Sequence, residues 1–148
     1  MERPRTEAAA IHLAERCRAE GMRVTPQRIA VYEALLASRV HPSPEDIFRT
    51  LRSAVPSLSL ATVYNALDAL ESLQLVRKVV TLGEVRRYDA NLTPHHHLIC
   101  TACLSIRDLD ASRLSRIRLK GDLDGFQADQ ISVQILGRCA DCTSSAEN

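Results

Sequence analysis

The chain has 148 residues, a net charge of +1, 45% hydrophobic and 25% charged residues, a balance foreign to disordered and fibrous proteins. Aromatic residues make up 3% and Trp is absent, which argues against a base-stacking single-strand binder and an aromatic-lined pocket. No apolar run reaches the ~18 residues of a membrane span, and MERPRTEAAA lacks a signal-peptide core, so a cytoplasmic protein is expected.

The first half reads as helices with clear start signals. Residues 7–20 (EAAAIHLAERCRAE) suit a helix that stops at Gly21. Thr25-Pro26 supplies an N-cap with Pro behind it, and Ile29, Tyr32, Leu35 and Leu36 follow at helical spacing. Ser43-Pro44 repeats the device before Glu45, Asp46, Ile47, Phe48 and Leu51. A third start lies at Ser59, with Leu60, Val63, Leu67 and Leu70 on one inward stripe. Three short capped helices predict a helix-turn-helix core. The outward face of the last one carries Thr62, Tyr64 and Asn65, candidate contacts to the major groove of DNA. A merely solvated face would be richer in Lys and Glu.

Residues 75–88 (LVRKVVTLGEVRRY) change period and predict a hairpin around Gly83-Glu84. Arg77, Lys78, Arg86 and Arg87 make it basic, as the wing of a winged helix would be; an ordinary hairpin with solvated charges is the alternative. Arginine accounts for 17 of the 19 basic residues, the better fork for phosphate, and Arg28, Arg86 and Arg87 are candidate backbone contacts. Charge divides mildly, with 13 basic against 11 acidic residues in 1–90 and 6 against 7 in 91–148. A polar turn at Asn91-Leu92-Thr93-Pro94 separates residues 1–90, a DNA-binding domain, from 91–148. In the second part HHHLIC, SIRDLD and QISVQIL predict strands, 111–120 a short helix, and the tail TSSAEN disorder. So short a unit is marginal alone, and metal or oligomerisation is expected to hold it.

Cysteine supplies the metal. Cys100/Cys103 and Cys139/Cys142 form two C-x-x-C knuckles, and four thiolates at tetrahedral corners make a closed structural site for Zn²⁺. A redox dithiol is the alternative. Cys17, on the first helix, reads as a small buried hydrophobe.

A second constellation is His95-His96-His97 with Asp89 and Asp108. On a strand, His95 and His97 share a face while His96 points away. Adding His41, which spacing alone does not select, gives three imidazoles and two carboxylates. Such a nitrogen and oxygen set suits Fe²⁺ or Mn²⁺.

The stretches RVTPQRIAVYEALL, HPSPEDIF, SLATVYNAL, RRYD, HHHLICTAC and CADC together resemble the ferric uptake regulator family of bacterial metal-dependent repressors. The likeness runs from about residue 20 to residue 142. It implies an α+β protein, an N-terminal winged helix plus a small C-terminal α/β dimerisation domain with a four-cysteine zinc. It also implies a homodimer on double-stranded operator DNA and a regulatory metal at the junction. Within the family the chain is most similar to the peroxide-stress repressor branch, whose regulatory ligands fall here on His41, Asp89, His95, His97 and Asp108. Iron-uptake members tend to carry Glu at the two Asp positions and Arg in place of Asn65. Three features depart from the family pattern: Leu104 where Gly is common, His96 between the ligand histidines, and Gln130-Ile131 where other members place a His.

These readings converge on a metal-dependent repressor that senses peroxide by iron-catalysed oxidation of His41 or His95. The alternative in the same class is an iron, manganese or zinc uptake repressor that responds to metal occupancy alone. A non-haem iron enzyme and a C-x-x-C redox protein are the rivals from other classes. Five protein ligands leave such an enzyme little room for substrate, so no enzymatic activity is expected.

Overall fold

The computed structural model describes residues 3–79 and 81–145. They form two compact units, one ending at Leu92 and one beginning at Thr93.

The N-terminal unit contains helices α1 (Arg3–Ala19), α2 (Pro26–Ala37), α3 (Pro44–Leu51) and α4 (Leu60–Ser72), then strands β1 (Arg77–Val79) and β2 (Arg87–Asp89). The starts follow from local chemistry. Thr25 Oγ1 accepts from Arg28 N at 3.2 Å, and Ser59 Oγ from Thr62 N at 3.1 Å. Ser43 and Asp46 form a reciprocal capping box, with Asp46 N donating to Ser43 Oγ and Ser43 N to the Asp46 carboxylate. Each such cap contributes about 1 kcal/mol. Leu13, Cys17, Val31, Leu35, Ile47, Val63, Leu67, Leu70 and Tyr88 pack into one core, so Cys17 is indeed buried among hydrophobes. On α4 the buried stripe is Val63, Ala66, Leu67, Ala69 and Leu70, which leaves Asn65 and Asp68 exposed.

The hairpin strands pair antiparallel, with Arg77 opposite Asp89 and Val79 opposite Arg87. Gly83 sits in the intervening loop at φ 104°, a conformation that favours glycine. Three helices with this ribbon behind them make the winged helix.

The C-terminal unit is a three-stranded sheet in the order β4-β3-β5, from β3 (His95–Cys100), β4 (Ile106–Asp110) and β5 (Gln134–Gly137). β3 runs antiparallel to β4 and parallel to β5. The helix predicted for 111–120 shrinks to one 3₁₀ turn, Ala111–Arg113. Asp110 Oδ1 accepts from Ser112 N at 2.8 Å, Leu114 returns to extended backbone, and Ile117 and Leu119 stay exposed. With no face to bury, the segment gains nothing by being helical. The strand predicted from Gln130 begins only at Gln134 and is exposed throughout. The tail also differs from its expected disorder, since Thr143 and Ser144 belong to a short helix α5 (Ala140–Ser144); residues 146–148 lie outside the described part. Among the described residues, no helix is long and apolar enough to cross a membrane.

Candidate functional site

The two knuckles meet. β3 carries Cys100 at its end, Cys103 follows in the turn toward β4, and Cys139 and Cys142 flank the start of α5 just beyond β5. Their four sulfurs lie within 4.8 Å of one another. Cys103 Sγ and Cys139 Sγ are 3.8 Å apart, the edge of a tetrahedron with Zn–S bonds of ~2.3 Å being about 3.8 Å. The backbone N–H groups of Cys103 and Cys139 point at Cys100 Sγ from 3.5 and 3.4 Å. These amides draw the Cys100 thiol down to about 6, while neighbouring thiols, Cys139 foremost, push Cys142 up to about 12. Converging thiols that hold one another's charge off are a set built around a cation. All four corners are protein sulfur, so this is a structural zinc site.

The knuckle turn carries a backbone oddity. Leu104 sits at φ 60°, in the left-handed region, with its N–H bonded to the Cys100 carbonyl at 2.9 Å. A residue with a Cβ is strained there.

A second set of donors in the C-terminal unit comes from pairing register. His95 and His97 alternate onto one face of β3, and Asp108 on β4 stands directly opposite His97. His95 Nε2 lies 3.1 Å from His97 Nε2 and 3.2 Å from Asp108 Oδ1, which is 3.9 Å from His97 Nε2. His95 Nδ1 is 2.7 Å from the Thr93 carbonyl, an acceptor that fixes the proton on Nδ1 and leaves the Nε2 lone pair inward. The two rings meet edge to face, with centroids 4.7 Å apart. Lone pairs aimed at one point beside a carboxylate fit a divalent cation. His96 takes the other face, where its Nδ1 accepts from Val133 N at 3.2 Å and ties the approach to β5 against β3.

The N-terminal unit assembles a smaller set. His41 lies in the turn before α3, and β2 runs beside that turn, with Tyr88 N donating to the Pro42 carbonyl at 3.2 Å. This places His41 Nδ1 3.7 Å from Asp89 Oδ1, both side chains being buried. Asp89 is further oriented by its cross-strand neighbour Arg77, whose Nη2 is 3.3 Å from Oδ2, and by Asn91 N at 2.7 Å from Oδ1. Arg87 turns back as well, its Nη1 donating to the His41 carbonyl at 2.8 Å. Sequence reasoning missed these arginine contacts, because they follow from a hairpin register that a loop of unknown length conceals.

Of the candidate DNA contacts, Thr62 joins the α4 cap, its hydroxyl 2.7 Å from Ser59 Oγ. Tyr64 is half-buried, Asn65 exposed on α4, and Arg86 exposed beside β2. Arg28 lies in the first turn of α2, its guanidinium hydrogen-bonded to the Arg23 carbonyl.

The sequence profile of the ferric uptake regulator family matches residues 19–136. The chain belongs to the ferric uptake regulator family. Its members are metal-responsive, dimeric, DNA-binding regulators. Among its relatives, the peroxide-responsive repressor PerR of Staphylococcus aureus strain USA300 is 32% identical over 126 residues, covering 84% of this chain and 85% of that protein. The structure of PerR from Streptococcus pyogenes, described as the basis of peroxide sensing and gene regulation, superposes with a TM-score of 0.53. It is 28% identical and covers 90% of this chain and 92% of that one. The Helicobacter pylori ferric uptake regulator gives a TM-score of 0.73 with 93% of each chain covered; at 22% identity that likeness speaks for the fold.

Proposed function

We propose that this family member is a homodimeric repressor that senses peroxide, with His41, Asp89, His95, His97 and Asp108 holding one regulatory Fe²⁺ or Mn²⁺. The observation that carries the reading is the inward set of His95, His97 and Asp108, with two ring nitrogens 3.1 Å apart beside a carboxylate. Three imidazoles and two carboxylates would give the five- or six-fold nitrogen and oxygen coordination such ions prefer. The likeness to PerR supports the peroxide branch.

Bound ferrous iron would supply the reduction of peroxide. The chain supplies the rest. Thr93 holds His95 with its Nε2 lone pair inward, and Arg87 holds the backbone of His41. Oxidation of either imidazole removes a ligand that the remaining side chains cannot replace. Residues 1–90 are the DNA-binding domain in this reading, and residues 91–148 the zinc-stabilised dimerisation domain. In this reading, metal bound in each protomer sets the spacing of the dimer's two α4 helices for adjacent major grooves. Thr62, Tyr64 and Asn65 face the bases, Arg28 and Arg86 the phosphates, and Arg87 is held back at His41. Operator binding places the protein in the cytoplasm.

The test is anaerobic loading with Fe²⁺, a mild peroxide dose, then operator binding and mass spectrometry of the ligand peptides. The reading requires loss of operator together with added oxygen on His41 or His95.

A further inference from the structure

The outward face of α4 has a partner that DNA reading alone does not explain. Tyr64 Oη on α4 donates to Glu45 Oε1 in the first turn of α3 at 2.9 Å, the two residues lying 19 positions apart in sequence. Both groups lie toward solvent, and the Glu45 carboxylate holds the Tyr64 phenol above its usual range. The hydroxyl therefore remains a donor at any physiological pH.

An exposed carboxylate on a face turned to DNA is a liability, since it repels phosphate at the distances where arginine is wanted. Glu45 has one ordinary reason to be there, the positive N-terminal end of α3. That reason does not require its bond to Tyr64. A tyrosine has only two side-chain torsions, and fixing its hydroxyl fixes both, so the ring waits in one orientation before DNA arrives. The neighbouring Asp46 meanwhile serves the cap of the same helix and leaves Glu45 to the tyrosine.

We propose that Glu45 is a positioning residue for base reading: its carboxylate presets Tyr64 on α4, and the pair sets how sharply operator is discriminated from other DNA. The proposal rests on the reading of α4 as the recognition helix. Glu45 touches no base in it and acts through the tyrosine ring. Removing Glu45 should thus have two opposite effects. Affinity for any duplex rises, because a negative charge is gone, while the preference for operator falls.

The test uses full-length, zinc-containing, Mn²⁺-loaded protein and two duplexes of equal length. One is recovered by the wild-type protein from a random library, and the other is its scrambled counterpart. Glu45→Ala should lower the ratio of the two affinities by about three- to tenfold, the worth of one hydrogen bond. Glu45→Gln keeps an acceptor oxygen and should hold the ratio. Tyr64→Phe removes the same bond from the other side and should reproduce the fall, with the Glu45→Ala/Tyr64→Phe double variant no lower. An unchanged ratio in Glu45→Ala, or additive losses in the double variant, overturns the proposal if Tyr64→Ala still lowers the ratio. If Tyr64→Ala leaves the ratio untouched, or the library yields no enriched duplex, the reading of α4 fails, and the proposal with it.

Discussion

The guanidinium of Arg87 donates to the backbone carbonyl of His41 at 2.8 Å, tying β2 of the basic hairpin to the turn that carries this proposed regulatory ligand. Its Nη1 also lies 3.8 Å from Asp46 Oδ2, part of the capping box at the start of α3. One arginine thus braces the His41 turn and the helix that follows it. Its neighbour Arg86 remains exposed.

The two arginines should therefore separate in experiment. Arg87→Ala should weaken regulatory Mn²⁺ binding by about tenfold, the effect of losing a group that orients a ligand. Arg86→Ala should leave Mn²⁺ affinity alone, weaken binding to all duplexes and flatten its salt dependence. Mn²⁺ titration and a salt series on both variants check the pair. Equal metal affinity in Arg87→Ala and wild type would show that the bond to His41 does not position the ligand.

Cys100→Ser should cost the zinc and, with it, the fold of the C-terminal unit. The sulfur lost is the one on which two backbone amides converge, and a structural zinc contributes ~10 kcal/mol or more in small domains. Zinc content, oligomeric state and melting temperature read the outcome. A zinc-free variant that stays dimeric with an unchanged melting point contradicts the assignment.

Leu104→Gly should stabilise the same knuckle. Leu104 is held at φ 60° and is 41% exposed, so glycine relieves backbone strain at the cost of only partial packing. The expected gain is about 1 kcal/mol, while Leu104→Ala, which keeps a Cβ in the same conformation, should give none. Thermal unfolding of the zinc-loaded protein decides it. A loss of stability in the glycine variant would mean the leucine side chain has packing worth more than the strain.

What was legible in the sequence was whatever short-range chemistry determines. Thr25, Ser43 and Ser59 announce their helices because a cap needs only the next three residues, and the C-x-x-C pairs announce zinc because each knuckle is self-contained. The alternation of His95 and His97 follows from strand geometry alone. What stayed hidden depends on register or on absent packing. Arg77 lies opposite Asp89 only because the hairpin loop has the length it has, and Tyr64 meets Glu45 only through the packing of α4 on α3. The helix expected over 111–120 misled for the opposite reason. Its apolar residues Ile117 and Leu119 remain exposed, so no buried face favours helix there. α5 escaped notice because hydroxyl-to-carbonyl bonds, such as Thr143 Oγ1 to Cys139 O at 3.0 Å, accompany it rather than an apolar stripe.

The choice between peroxide sensing and metal occupancy turns on Asp108. Its Oδ1 stands 3.2 Å from His95 Nε2, held there by the pairing of β4 with β3. A Glu at this position carries one more methylene and would bring its carboxylate to the same ion from a different angle. Asp108→Glu should therefore keep Fe²⁺-dependent operator binding, while peroxide adds oxygen to His41 and His95 about tenfold more slowly or less. Asp108→Ala separates a ligand from a carboxylate that merely hydrogen-bonds its neighbours. Lost regulatory metal affinity marks the ligand, and unchanged affinity marks the neighbour. Oxidation should also require iron, since Mn²⁺ with the same ligands lacks a facile cycle with peroxide, and Mn²⁺-loaded protein should stay on its operator at the same dose. Mass spectrometry of the peptides containing residues 41 and 95, with operator binding and metal titration measured in parallel, reads both variants and the Mn²⁺-loaded protein. Should Fe²⁺-loaded wild type keep its operator and gain no oxygen on any histidine, the peroxide reading falls. The same fold and zinc would then serve a regulator whose signal is metal occupancy.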